Sequence, residues 1–183
     1  MTSIEQNLTQ YAAYHRDRRN IATHFVGVPM IVFSVVLALA VVEIPAGPVV
    51  LTLAALVSIA ACIYYLKLEL TLGLTMAVVL FAMCAGASEI THRMGTGAVL
   101  GLALGIFVAG WALQFLGHKY DGMKPAFFDD VKQLLIGPIF VCAEAYFLLG
   151  GLPQLRRYIE DRVGPTVARR DGRPIPIREE ATQ

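Results

Sequence analysis

The chain has 183 residues, 56% of them hydrophobic, with a mean hydropathy of +0.61 and a formal net charge of +1. That is too apolar for an ordinary soluble domain, and no basic, aromatic-interleaved patch offers a surface to nucleic acid. Between Phe25 and Gly117 the only Lys or Arg are Lys67 and Arg93 and the only acids are Glu43, Glu69 and Glu89, the pattern of apolar spans joined by short loops.

Residues 1–24 are polar and partly helical, with Leu8, Tyr11, Ala12 and His15 on one face and Arg16, Arg18 and Arg19 crowding the end. No signal peptide is read here, because the first apolar run starts at Phe25 without a small-residue cleavage site ahead of it. Apolar spans follow at 25–42, 49–66, 70–87 and 97–116, separated by a turn at 43–48, by Lys67-Leu68-Glu69 and by the polar stretch 88–96. Spans of about 18–20 residues cross a hydrocarbon core of ~30 Å at ~1.5 Å per residue. A shorter apolar run at 134–150 contains Pro138 and Glu144. A fifth crossing there would export a tail holding seven arginines, so the run is expected to be a re-entrant or interfacial helix over the cytoplasmic end.

The predicted fold is therefore an all-α integral membrane protein: a four-transmembrane-helix bundle with an N-terminal helix and a re-entrant or interfacial helix near the C-terminus. Residues 1–155 form one helical domain in this reading, and 156–183 an Arg/Pro-rich, partly disordered cytoplasmic tail. Cys62, Cys84 and Cys142 lie inside apolar runs without CxxC spacing, and read as buried, inert thiols. The bias of Lys and Arg toward the cytoplasm puts both termini and the 117–133 loop inside. His15, His24 and His118 then share the cytoplasmic end, while His92 lies ~30 Å away across the bilayer.

The stretch from Trp111 to Glu144 carries the densest chemistry. Gln114, His118 and Asp121 are spaced by four and three residues, which puts them on one helical face, with Asp121 able to drift if the helix loosens at Gly122. Lys124-Pro125 then disfavours further helix. His15 and His24 are nine residues apart, about 900° on a continuous helix, so their rings would face opposite ways. They can share a ligand only if the helix breaks, and Arg18-Arg19-Asn20 offers a break with Asn20 as the N-cap of the first membrane helix.

Three neutral imidazoles suit a divalent transition metal, and ligand type alone does not choose among iron, zinc, copper and nickel. Asp121 either completes such a site or holds a ligating ring from behind. Plainer roles stand beside these: histidines as interfacial anchors, Gln114 as interhelical glue, Glu144 snorkelling or paired with an arginine. Trp111, Tyr120, Phe127 and Phe128 read as interfacial aromatics. A non-catalytic membrane scaffold or accessory subunit and a haem- or quinone-binding membrane protein both remain open on these residues alone.

The stretch Tyr14-His15-Arg16-Asp17-Arg18-Arg19-Asn20-Ile21-Ala22-Thr23-His24-Phe25-Val26-Gly27-Val28-Pro29 resembles the amino-terminal signature of the Mpo1-like family. Gln114-Phe115-Leu116-Gly117-His118-Lys119-Tyr120-Asp121-Gly122-Met123-Lys124-Pro125-Ala126 resembles its second signature, and Leu134-Leu135-Ile136-Gly137-Pro138 its third. The resemblance implies an Fe(II)-dependent dioxygenase, with molecular oxygen as co-substrate, that shortens 2-hydroxy fatty acids by one carbon in α-oxidation. It implies His15, His24 and His118 as metal ligands, with Asn20, Gln114 and Asp121 as catalytic candidates. Arg19 and Lys124 are expected to draw in the substrate carboxylate, in a bacterial inner membrane or, in a eukaryote, the endoplasmic reticulum. Two departures stand out: the family usually has glutamate at Asp121, and a proline common before the Asn20 position is absent.

Overall fold

The structure is a computed structural model that describes residues 3–122, 130 and 132–167. Its elements are α1 (Ser3–Ala13), α2 (Arg18–Ala40), β1 (Glu43–Ala46), β2 (Val49–Thr52), α3 (Leu53–Leu68), α4 (Leu70–Arg93), α5 (Thr96–Asp121), α6 (Gln133–Leu148) and α7 (Pro153–Val163). The chain divides into two compact units, Met1–Val28 with Ala112–Gln183, and Pro29–Trp111.

Helices α2, α4 and α5, of 23, 24 and 26 residues, are each long and apolar enough to cross a membrane. Helices α6 and α7 pass the same test together, as a pair bent by 109°. Within their most apolar windows, only 28% of α4 and 22% of α5 is buried, and Val78, Phe81 and Leu104 stand open. So much continuous outward apolar surface suits lipid and not water. The chain is an all-α membrane protein with a bent helix pair near its C-terminus, as its composition predicts.

The second expected span is revised. Residues 49–52 do not begin a helix; they form β2, paired antiparallel with β1 across a Gly47-Pro48 loop, with Glu43 opposite Thr52. A short apolar run such as Val49-Val50-Leu51 does not by itself distinguish strand from helix, and β-branched residues suit the pleated surface. The Thr52 side chain then caps α3 by accepting from Ala55 N at 3.2 Å. That leaves α3 with 16 residues, about 24 Å long against a core of ~30 Å.

A single residue, Glu69, joins α3 to α4. Its backbone N–H donates to Tyr65 O, while its carboxylate accepts from Thr71 N and Leu72 N at 3.0 and 2.6 Å. One side chain thus satisfies two of the orphan donors at the start of α4. The two helices then pack so closely that a Cβ on Gly73 would lie 2.7 Å from the Leu66 backbone. The core of this unit gathers Val36, Leu37, Ala40, Ala54, Ala87, Val99 and Ala103.

In the other unit, Ile4, Leu8, Tyr11 and Ala12 make the buried stripe of α1, spaced as an amphipathic helix requires, and α1 packs on α6 and α7. Residues 156–163, within the stretch assigned to the tail, belong to α7. Beyond it the chain runs beside the α1–α2 link, where Val167 N donates to Arg16 O at 3.0 Å and Arg18 N to Val167 O at 3.2 Å. The disorder expected further along the tail falls on 168–183, outside the described residues. None of the three cysteines forms a disulfide among the described residues, and each is half-buried where full burial was expected.

The Gly73 contact sets a test. Gly73→Ala meets backbone and must push α3 from α4, at a cost of about 1–3 kcal/mol. Gly101→Ala, with nothing within 4 Å of its added Cβ, should leave stability unchanged. Thermal unfolding in detergent should show an earlier transition for the first variant alone.

Candidate metal centre

Helix α1 stops at Ala13, and its last turn closes with Tyr14 N donating to Tyr11 O and His15 N to Ala12 O. Helix α2 starts at Arg18 with Asp17 as its N-cap: Asp17 Oδ1 accepts from Arg19 N at 2.8 Å, and Asp17 O from Ile21 N at 3.1 Å. The predicted break is therefore displaced. It lies at 14–17, not 18–20, and Asn20 sits in the first turn of α2 with its side chain free for another task. Aspartate caps as well as asparagine does, and Asp17 comes first in the chain.

This break turns two rings that a continuous helix would separate onto one centre. The ring centroids of His15 and His24 are 4.6 Å apart, and His118, in the last turn of α5, lies 4.8 Å from His15 and 5.2 Å from His24. One potential ligand atom from each residue lies within 4.8 Å of the others, and all three side chains are buried. His15 Nδ1 bonds to Tyr11 O at 2.7 Å and His24 Nδ1 to Asn20 O at 2.9 Å. A carbonyl only accepts, so each Nδ1 carries the proton and each Nε2 the lone pair. Buried His15 Nε2 and His118 Nδ1 have no hydrogen-bond partner among the described residues.

Burial first, and then the neighbouring His24 and His118, hold the His15 imidazole well below the usual histidine range. It is therefore neutral, as a metal ligand must be. The Tyr11 ring lies flat on that of His15, 4.1 Å away at 3°, and Phe140 of α6 packs against Tyr11 at 4.7 Å. Two orphaned ring nitrogens in a dry cluster of three imidazoles fit a divalent transition metal. Three protein ligands leave positions open to a reacting group, where a structural site would be closed by four.

Asp121 is not one of the clustered donors. One of its oxygens accepts from Asp17 N at 2.9 Å and the other from the Asn20 side-chain amide. Asn20 passes the connection on, since its carbonyl receives the proton of His24 Nδ1. Gln114, one turn before His118, is buried, and its Nε2 has no partner among the described residues. Arg19 bonds Asp17 through Nε and Nη2 at 3.0 and 2.8 Å and lies over the Tyr120 ring. Lys124, Phe127 and Phe128 fall outside the described residues. His92, exposed at the end of α4, takes no part in the cluster.

Sequence reasoning passed over Tyr11 and Phe140, which look like ordinary core aromatics, and over Arg16. The Arg16 guanidinium is 2% exposed and pairs with Glu144 at 3.0 Å, the arginine partner that was one of two roles foreseen for that acid. Arg16 Nε also donates to Ala12 O and His15 O, and Nη1 to Gly164 O. The available signal was Glu144 itself, a lone acid in an apolar run that needs a buried cation.

A family model described as 2-hydroxy-palmitic acid dioxygenase Mpo1-like matches residues 1–149. The 2-hydroxy-palmitic acid dioxygenase MPO1 of Saccharomyces cerevisiae is 32% identical over 162 residues, covering 87% of this chain and 89% of the yeast protein. No solved structure matches the chain.

The ion pair is open to measurement. Glu144→Ala strands a buried guanidinium and should cost about 3–5 kcal/mol, whereas Arg16→Met combined with Glu144→Leu should recover most of that loss. If the single variant melts with the unmodified protein in detergent, the pair does not hold α6 to the α1–α2 link.

Proposed function

Since the chain belongs to the Mpo1-like family, we propose that it is an Fe(II)-dependent dioxygenase that cleaves 2-hydroxy fatty acids between C1 and C2. The reaction balances as R–CH(OH)–COOH + O2 giving R–COOH + CO2 + H2O, the one-carbon shortening of α-oxidation. The observation that carries this reading is the buried cluster of His15, His24 and His118, whose ligand atoms lie within 4.8 Å of one another. Iron bound by these three imidazoles would supply the activation of molecular oxygen and two-point attachment for the hydroxyl and carboxylate of the substrate.

The protein's own part is to orient and to exclude. The carbonyls of Tyr11 and Asn20 fix the His15 and His24 tautomers. Asp121 and the Asn20 side chain hold the corner from which His24 projects. Tyr11 and Phe140 close one side of His15 to water. In this reading Lys124 and the exposed side of Arg19 attract the carboxylate, although Asp17 neutralises much of the Arg19 charge. The acyl tail belongs in the lipid. The bias of Lys and Arg supports an orientation with both termini cytoplasmic, in a bacterial inner membrane or in the endoplasmic reticulum of a eukaryote.

Anaerobic reconstitution with Fe(II), followed by exposure to oxygen and a 2-hydroxy fatty acid, should yield the acid one carbon shorter. The loaded protein should show no Soret band. His118→Ala, verified as folded, should lose both stoichiometric iron and turnover; retention of either at the unmodified level would falsify the ligand assignment. Asp121→Ala keeps all three imidazoles but loosens their support, and should weaken iron binding about 10–100-fold. Unchanged affinity there would reduce Asp121 to a purely structural tie.

A further inference from the structure

Gln114 is an oddity in a helix as apolar as α5. It stands one turn before His118, so the two side chains leave the same helical face. Its side chain is 4% exposed, and Nε2 is buried without any hydrogen-bond partner among the described residues. A buried amide N–H without an acceptor is destabilising, and an apolar side chain of equal size would sit there more comfortably. Glutamine at this place is stabilised when an acceptor arrives from outside the chain.

Among the described residues His15 Nε2 and His118 Nδ1 are left to the metal, and Asn20 Oδ1, which faces α5 at Gly117, is the other unpartnered acceptor on this side; the remaining polar groups nearby are engaged. Nδ1 of His15 and of His24 bond carbonyls, and both oxygens of Asp121 accept from the α1–α2 corner. Arg16 is turned toward Glu144 and Gly164, and Arg19 toward Asp17. A fatty acid whose head entered the histidine cluster would bring a carboxylate out of water, and that anion needs donors. An amide NH2 is a donor only, whereas a hydroxyl both gives and accepts.

Resting on the dioxygenase reading, we propose that Gln114 Nε2 donates to a carboxylate oxygen of the 2-hydroxy fatty acid bound at His15, His24 and His118. Gln114 is then the residue by which the centre recognises an acid head. It acts on the substrate and not on the metal, which separates its role from that of the imidazoles and of Asp121.

The test compares two ligands of equal chain length on the Fe(II)-loaded, detergent-purified full chain under anaerobic conditions. One is 2-hydroxyhexadecanoate; the other is 1,2-hexadecanediol, which keeps the 2-hydroxyl and replaces the carboxylate with an alcohol. Gln114→Met, which keeps the volume and removes the donor, should weaken binding of the acid by roughly 10–100-fold, the worth of a hydrogen bond to a charged group. Diol binding should change by no more than about 2–10-fold, the worth of a neutral hydrogen bond, and by clearly less than binding of the acid, and iron content should not change. Gln114→Leu should act in the same direction. Undiminished acid binding overturns the proposal, as does an equal loss for both ligands or a loss of iron, either of which would make Gln114 a support for His118. An unmodified protein that takes up no iron would instead sink the dioxygenase reading, before Gln114 is reached.

Discussion

Asp121 accepts from the backbone of Asp17 with one oxygen and from the Asn20 side chain with the other, so the last residue of α5 is tied to the link between α1 and α2. Each histidine of the cluster is borne by one of the three parties to that tie: His15 by the link, His24 by the first turns of α2 and His118 by the end of α5. A carboxylate buried without donors would be costly; here both oxygens are satisfied, so the desolvation penalty is offset and the geometry becomes stiff. The short side chain of aspartate fits this task. It reaches the corner and stops short of the imidazoles.

Gly117 shows how tightly the two helices meet beside that tie. A Cβ there would run into Thr23 Oγ1 and the Asn20 side chain, so α5 can deliver His118 to this depth only because the residue before it has no side chain. On the facing helix, Asn20 O accepts from both Thr23 Oγ1 at 2.8 Å and His24 Nδ1 at 2.9 Å. One carbonyl therefore helps set the ring angle of His24 and the packing surface that receives α5.

Arg16 carries the opposite face of the same link. Its guanidinium joins Glu144 of α6 to Gly164 past α7, while its own carbonyl receives Val167 N. A buried ion pair adds little net stability over an apolar pair, but it defines one arrangement where apolar contacts tolerate several. Its positive charge beside His15 adds, as the smallest of several causes, to those that disfavour a protonated ring and so favour the neutral form that a metal ligand requires.

Much of this was legible in the order of residues. Scarce charge between Phe25 and Gly117 declared a membrane protein, and i, i+4 spacing put Gln114 and His118 on one face. The nine-residue separation of His15 and His24 meant that the two could share a ligand only if the helix broke between them, because helical periodicity is a local property that any window reveals. Where the break fell was not local. Asn20 and Asp17 are equally good caps, and Asn20 was drawn into the first turn by a carboxylate 101 residues away. Pairing of Val49–Thr52 with Glu43–Ala46 was hidden for a related reason, since an apolar tetrapeptide suits either helix or strand until a partner is present. Glu144 left snorkelling and pairing with an arginine both open, and did not say which arginine. Tertiary structure decided those matters because a hydrogen bond or an ion pair between distant residues depends on where two backbones come to lie, and no single stretch of chain contains that information.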